Sequence, residues 1–124
     1  MMVADTSFLV ACLDHNDARQ EAARDTFDAT DIVVIPTQIL VETLGVVKAK
    51  AGQDAARRAL AGLMAVQNVH WQQECRLLEA HAIYEQERRL SLPDAIVVQA
   101  CVERGAGCLT FDARQADAVR RRLG

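Results

Sequence analysis

The sequence predicts an α/β domain built on a parallel sheet with helices on both faces. Three observations carry this. Four short stretches are almost wholly apolar, as strands covered on both sides are. Helical patterns fill the intervals, so the two kinds of element alternate. At 124 residues, 51% of them hydrophobic, the chain has enough apolar material for one domain with a core of its own, spanning 1–124.

The elements follow in order. MVAD (2–5) is the first strand. NDARQEAARDTF is a polar, amphipathic helix. DIVVIP (31–36) is the second strand, apolar between an acid and a proline. TQILVETLGVVKAK is a helix with Thr37 as its expected cap and Gly52 as its stop. QDAARRALAGLMAV is another. NVHW (68–71) is a weaker third strand, followed by the helical QECRLLEAHAIYEQERRL. SLPDAIVVQACVERG places Ser91 as cap, a proline early in the helix and Gly105 just past its end. CLTFD (108–112) is the fourth strand, and ARQADAVRRRLG a closing helix.

Composition narrows the function. No apolar run approaches the roughly 20 residues of a membrane span, and the N-terminus lacks the pattern of a signal peptide. A cytoplasmic location is the expectation. Cys12, Cys75, Cys101 and Cys108 form no C-x-x-C pair. They are expected to be buried apolar residues in a reducing compartment rather than zinc ligands or a redox pair. His15, His70 and His81 stand alone. The net charge of −3 is unlike the basic footprint of most nucleic-acid binders. If four acids belong to one site, however, 14 basic residues face 13 acidic ones elsewhere.

Those four acids are Asp5, Glu42, Asp94 and Asp112. Asp5 and Asp112 each close an apolar strand. In open parallel sheets ligands bind beyond the carboxyl ends of the strands. Each acid, taken alone, is equally a cap for the helix that follows. Glu42 lies on the margin of the stripe made by Ile39, Leu40, Leu44 and Val47, with no Lys or Arg three or four residues away. Asp94 completes a capping-box pattern with Ser91, yet shares the apolar face of Val98 and Cys101. Four carboxylates at one end of a sheet raise one another's pKa, and a hard divalent cation relieves that conflict. Mg²⁺ or Mn²⁺ suits such an oxygen shell and can activate water on a phosphodiester.

In this order and spacing the motifs resemble those of the PIN-domain nucleases, in particular the short VapC-type toxins of toxin–antitoxin pairs. VADTSFLV looks like the opening strand with its first acid, Asp5. PTQILVETLGVV, LSLPDAIVVQAC and LTFDARQ look like the next three motifs, with Glu42, Asp94 and Asp112. The resemblance covers nearly the whole chain. It implies a three-layer α/β/α sandwich with a central, mainly parallel sheet of four to five strands. It implies an Mg²⁺- or Mn²⁺-dependent endoribonuclease in which the four acids hold the metal or its waters. By the same resemblance, Thr6 or Ser7 supports Asp5, the protein is a homodimer, RNA is the substrate and an antitoxin is the partner. One departure stands out: the chain runs from Asp112 into a helix and stops, so the last edge strand is expected to be reduced or absent.

Basic residues that would meet RNA are Arg88, Arg89, Arg114, Arg120–Arg122, Lys48 and Lys50. With aromatics at only 4%, no stacking platform is evident. The stretch 59–66 is either core or an apolar seat for a partner helix. The alternative function is a PIN-like scaffold without catalysis that binds a protein partner. A phospho-accepting receiver domain fits poorly: one acid follows the first strand, and no Lys follows Lys50.

Overall fold

The computed structural model describes residues 1–124. Its strands are β1 (Met2–Ala4), β2 (Val33–Pro36), β3 (Val69–Gln72) and β4 (Gly107–Leu109). Its helices are α1 (Thr6–Leu13), α2 (Gln20–Ala29), α3 (Thr37–Ala51), α4 (Gln53–Ala65), α5 (Leu77–Gln86), α6 (Leu92–Arg104) and α7 (Ala113–Leu123). The strands pair in the order β3-β2-β1-β4, all parallel. The register sets Met2 beside Val33 and Val3 beside both Val34 and Cys108.

Topology dictates the layers. Crossovers between parallel strands are right-handed. The chain steps from β1 to β2 to β3 in one direction, which places α1–α4 on one face. It then returns past β1 to β4, which places α5 and α6 on the other, with α7 packed on α6. The result is a three-layer α/β/α sandwich, as the sequence predicts, with four strands and no fifth. Its core is one cluster of 24 buried residues, including Val3, Val33, Val34 and Ile35 from the sheet and Val97, Val98 and Cys101 from α6. No helix is long and apolar enough to cross a membrane.

Three local expectations are corrected. Thr37 does not cap α3: β2 runs straight into the helix, Pro36 occupies the cap position with extended backbone and Thr37 is the first helical residue. A whole helix, α1, fills the stretch TSFLVACL, which carries no amphipathic pattern because Phe8, Leu9, Ala11 and Cys12 are all buried. And β4 ends at Leu109, so Asp112 stands in the turn beyond the strand rather than at its end. Other boundaries hold. Gly105 ends α6 in the left-handed region (φ 60°), where a side chain would be strained. Gly52 separates α3 from α4 at φ 93°.

The C-terminal arginines are largely spent on the fold. Arg121 and Arg122 both donate to Glu87, at 2.7 and 2.8 Å, and tie α7 to the segment after α5. Arg120 pairs with Asp117. The hydrogen bonds from Arg122 and Arg121 hold the Glu87 carboxyl below its ordinary range. A depressed carboxyl pKa stabilises above the unfolded value and loses that contribution as pH falls through the folded one. Glu87→Gln is therefore expected to melt a few degrees below wild type at neutral pH, with the gap closing below the carboxylate range. A gap that persists at acid pH in thermal melts would assign Glu87 a packing role instead.

Candidate active site

The sheet order has one switch point, where the chain leaves β1 for β2 and later comes back to β4 on the other side. The crevice between the carboxyl ends of β1 and β4 is where such folds bind ligands. Asp5 leaves β1 there. Its backbone N–H donates to Leu109 O of β4 at 3.1 Å, and its side chain is only 2% exposed. A buried carboxylate is costly unless hydrogen-bonded, and three donors converge on this one. Ser7 Oγ donates to Oδ1 at 2.8 Å and Phe8 N at 3.0 Å, while Thr110 Oγ1 donates to Oδ2. Asp5 thus caps α1 from the carboxyl end of β1, at the switch point. Burial pushes its carboxyl above the ordinary value; the three hydrogen bonds oppose that shift, and the nearby charge of Asp94 adds to it.

The other acids arrive from separate helices. Asp94 sits half-buried in the first turn of α6, and both bonds of its capping box with Ser91 are made. Its Oδ2 accepts the Ser91 N–H at 3.1 Å, and its Oδ1 has no hydrogen-bond partner. Glu42, half-buried on α3, accepts a hydrogen bond from Thr6 Oγ1. Of the two hydroxyls expected to support Asp5, Ser7 does so and Thr6 turns to Glu42 instead. Asp112 caps α7 through the Arg114 N–H at 2.9 Å and is gripped by the Arg114 guanidinium at 3.3 and 3.2 Å. That pairing holds the Asp112 carboxyl below its usual range.

The sequence reading missed Thr110 and Gln115. Thr110 Oγ1 joins Asp5, lies 3.3 Å from Ser7 Oγ and accepts the Asp112 N–H at 2.9 Å, so one hydroxyl links three site residues. Gln115 is fully buried and donates to the Asp94 carbonyl at 3.2 Å, fixing α7 against the start of α6. A polar residue two before Asp112, in a stretch otherwise reading as strand, was the available signal for Thr110. Gln115 had none, since an exposed helical glutamine looks the same in sequence.

The donor set is carboxylate and hydroxyl oxygen, with no histidine at hand. The Cys108 thiol is pushed far above its ordinary value by its hydrogen bond with Cys101 and by burial. In kind, these donors fit a hard cation such as Mg²⁺ or Mn²⁺. No three of the side chains stand close enough together to hold an ion as they are placed. Asp5 and Glu42 accept from hydroxyls and Asp112 from Arg114, while Asp94 keeps one oxygen without a partner.

Of the basic residues proposed to meet a phosphate backbone, Arg114 lies at the site. Arg88 and Arg89 stand exposed just before α6. Lys50 instead pairs with Asp14 at 3.5 Å. A separate groove of about 590 Å³ opens between the α1–α2 region and α4, lined by Val10, Leu13, Phe27, Leu63 and Val66 among others. Within stretch 59–66, Leu63 is buried and lines this groove, while Met64 is 61% exposed.

Residues 2–121 match the family model described as PIN domain. The crystal structure of VapC20 from Mycobacterium tuberculosis, described as a sarcin–ricin-loop-cleaving toxin, superposes with a TM-score of 0.80 at 22% identity, over 95% of each chain. PAE2754 from Pyrobaculum aerophilum superposes with a TM-score of 0.66 at 19% identity, over 98% of this chain and 91% of that one. Comparison with curated protein sequences gives no match.

Proposed function

The chain belongs to the PIN domain family, and on that premise we propose that it is a divalent-metal-dependent endoribonuclease acting as the toxin of a toxin–antitoxin pair. One observation carries the catalytic half: a carboxylate only 2% exposed is kept at the switch point of a parallel sheet, with three more acids brought to the same end. The toxin role is supported by the shared fold with VapC20 and by similar chain length.

In this reading Asp5, Glu42, Asp94 and Asp112 would hold Mg²⁺ or Mn²⁺ or its waters, and the ion would supply the positive charge that offsets theirs and Lewis acidity toward phosphate and water. The protein's own groups do the rest. Asp94 Oδ1 is free to orient the attacking water and take its proton. Ser7 and Thr110 keep Asp5 from rotating. Arg114 neutralises Asp112 and is the nearest guanidinium for a phosphate oxygen. The groove beside α4 suits an amphipathic helix of the antitoxin, and a homodimer and a cytoplasmic location complete the proposal.

The inert-scaffold reading also has an observation in its favour, since Asp112 is already paired with Arg114 and no three acids close around an ion. Cleavage of a structured RNA pool in Mg²⁺ or Mn²⁺ separates the two. Wild type is expected to cut, EDTA to stop it, and an Asp94→Asn preparation, the control for contaminating nuclease, to leave the pool intact. Mn²⁺ titration followed by calorimetry is expected to show binding to wild type. Absence of both cleavage and Mn²⁺ binding would establish the scaffold.

A further inference from the structure

Phe111 lies between Thr110, which bonds Asp5, and Asp112, and its backbone N–H donates to Ser7 Oγ at 3.0 Å. It is nevertheless 39% exposed. Its ring stacks on buried Phe8, with centroids 5.9 Å apart and planes inclined by 22°. The Arg19 guanidinium sits 4.3 Å from its centroid. Arg19 is in turn held by Asp17, through Nε at 3.1 Å and Nη2 at 3.0 Å, and half of its side chain remains exposed. The sequence spells this device twice. Asp17-Ala18-Arg19-Gln20 and Asp112-Ala113-Arg114-Gln115 are the same tetrapeptide, and each folds its arginine back onto its aspartate. Only the first places the guanidinium on a ring.

From this geometry we propose that the Arg19–Phe111 pair is a nucleobase subsite, on which an unstacked base of the RNA strand lies while its neighbouring phosphate meets the acids. The inference rests on the ribonuclease reading and adds to it a place for the base. Asp17 already neutralises Arg19, so the group offers a planar face rather than a free charge for phosphate. Guanidinium planes and aromatic rings are the surfaces on which splayed bases of single-stranded RNA stack. The scarcity of aromatics in the sequence argued against such a platform. Folding makes one from Phe8 and Phe111, at opposite ends of the chain, and a cation.

The test is binding of a short single-stranded RNA of mixed sequence to the Asp94→Asn protein, by fluorescence anisotropy, with each nucleotide in turn made abasic. One abasic position is expected to weaken binding on the order of tenfold, the scale of one base–aromatic stack. Against Asp94→Asn combined with Phe111→Leu, which keeps an apolar contact with Phe8, that same oligonucleotide is expected to bind no worse than the intact one. Arg19→Ala, at an exposed position, serves as a second variant should Phe111→Leu fail to fold. Tight binding that ignores both the abasic sites and the variants overturns the subsite and leaves the RNA reading standing. No binding of any oligonucleotide also overturns the subsite, and the ribonuclease reading then stands or falls on cleavage of the structured pool.

Discussion

Replacing Asp5 by Asn is expected to lower RNA cleavage by at least about a hundredfold, the scale seen when one group that offsets transition-state charge is removed. The side chain keeps its shape, and its one remaining oxygen can still accept from Phe8 N and Ser7 Oγ. What is lost is a negative charge in a place where charge is expensive. Burial raises the Asp5 carboxyl above its unfolded value. The ionised side chain therefore opposes folding above the folded pKa, and this penalty vanishes below the unfolded one. In EDTA, Asp5→Asn is expected to melt above wild type near pH 8, with the difference shrinking toward pH 5, about where carboxyl groups begin to protonate. Calorimetric scans of both proteins across that range check it. Retained cleavage would remove Asp5 from the site. A pH-independent gap would mean that the hydrogen bonds cancel the effect of burial and leave the Asp5 carboxyl at its unfolded value.

The framework was legible because its signals are local. An all-apolar run such as VVIP has no solvent face to alternate toward, and it formed a central strand with every residue buried. Ser91 and Gly105 bracketed α6 because cap and stop chemistry depends on a few adjacent backbone groups. Helix α1 escaped for the same reason that β2 was found. Packed against α2 and α3, it too is apolar nearly all round, and periodicity cannot tell a short buried helix from a strand. Thr37 was misread because Pro36, with φ fixed, can itself hold the extended cap position and leave no room for a linker.

The candidate site was legible only as a set of oddities. Acids that close apolar runs or sit on apolar helix faces stand out against the hydrophobic pattern, and that exposed Asp5, Glu42, Asp94 and Asp112. Their partners do not stand out. Thr6 turned to Glu42, Arg114 to Asp112 and Thr110 to Asp5 because of where three helices happen to begin. The Arg114–Asp112 contact lies inside LTFDARQ, whereas the first and last of these span the chain and leave no mark within any one motif. The same applies to Phe8 and Phe111, unremarkable apart and stacked together once β1 and β4 pair.

Thr110 is where these long-range contacts concentrate, and Thr110→Val is expected to cost both stability and rate. Valine matches the shape of threonine and removes only the hydroxyl. Asp5 then loses the donor to Oδ2, and the Asp112 N–H loses its acceptor at the mouth of α7. Each polar group left unpaired in a partly buried place costs roughly 1–3 kcal/mol. Loss of an outer hydrogen bond that orients a ligating carboxylate typically lowers activity 10- to 100-fold, so an effect of about that size is expected in cleavage rate. Thr110→Ser restores the hydroxyl and is expected to recover most of both. The pair of substitutions also discriminates between two ways the site could be assembled. If Thr110 orients Asp5, Val lowers cleavage and Mn²⁺ affinity together, and Ser rescues both. If Thr110 instead acts only as a competitor for Asp5 that a cation must displace, Val strengthens Mn²⁺ binding while the melting temperature still falls. Mn²⁺ titration of the three proteins decides which, because a purely structural hydroxyl would change the melting temperature and leave metal affinity unmoved.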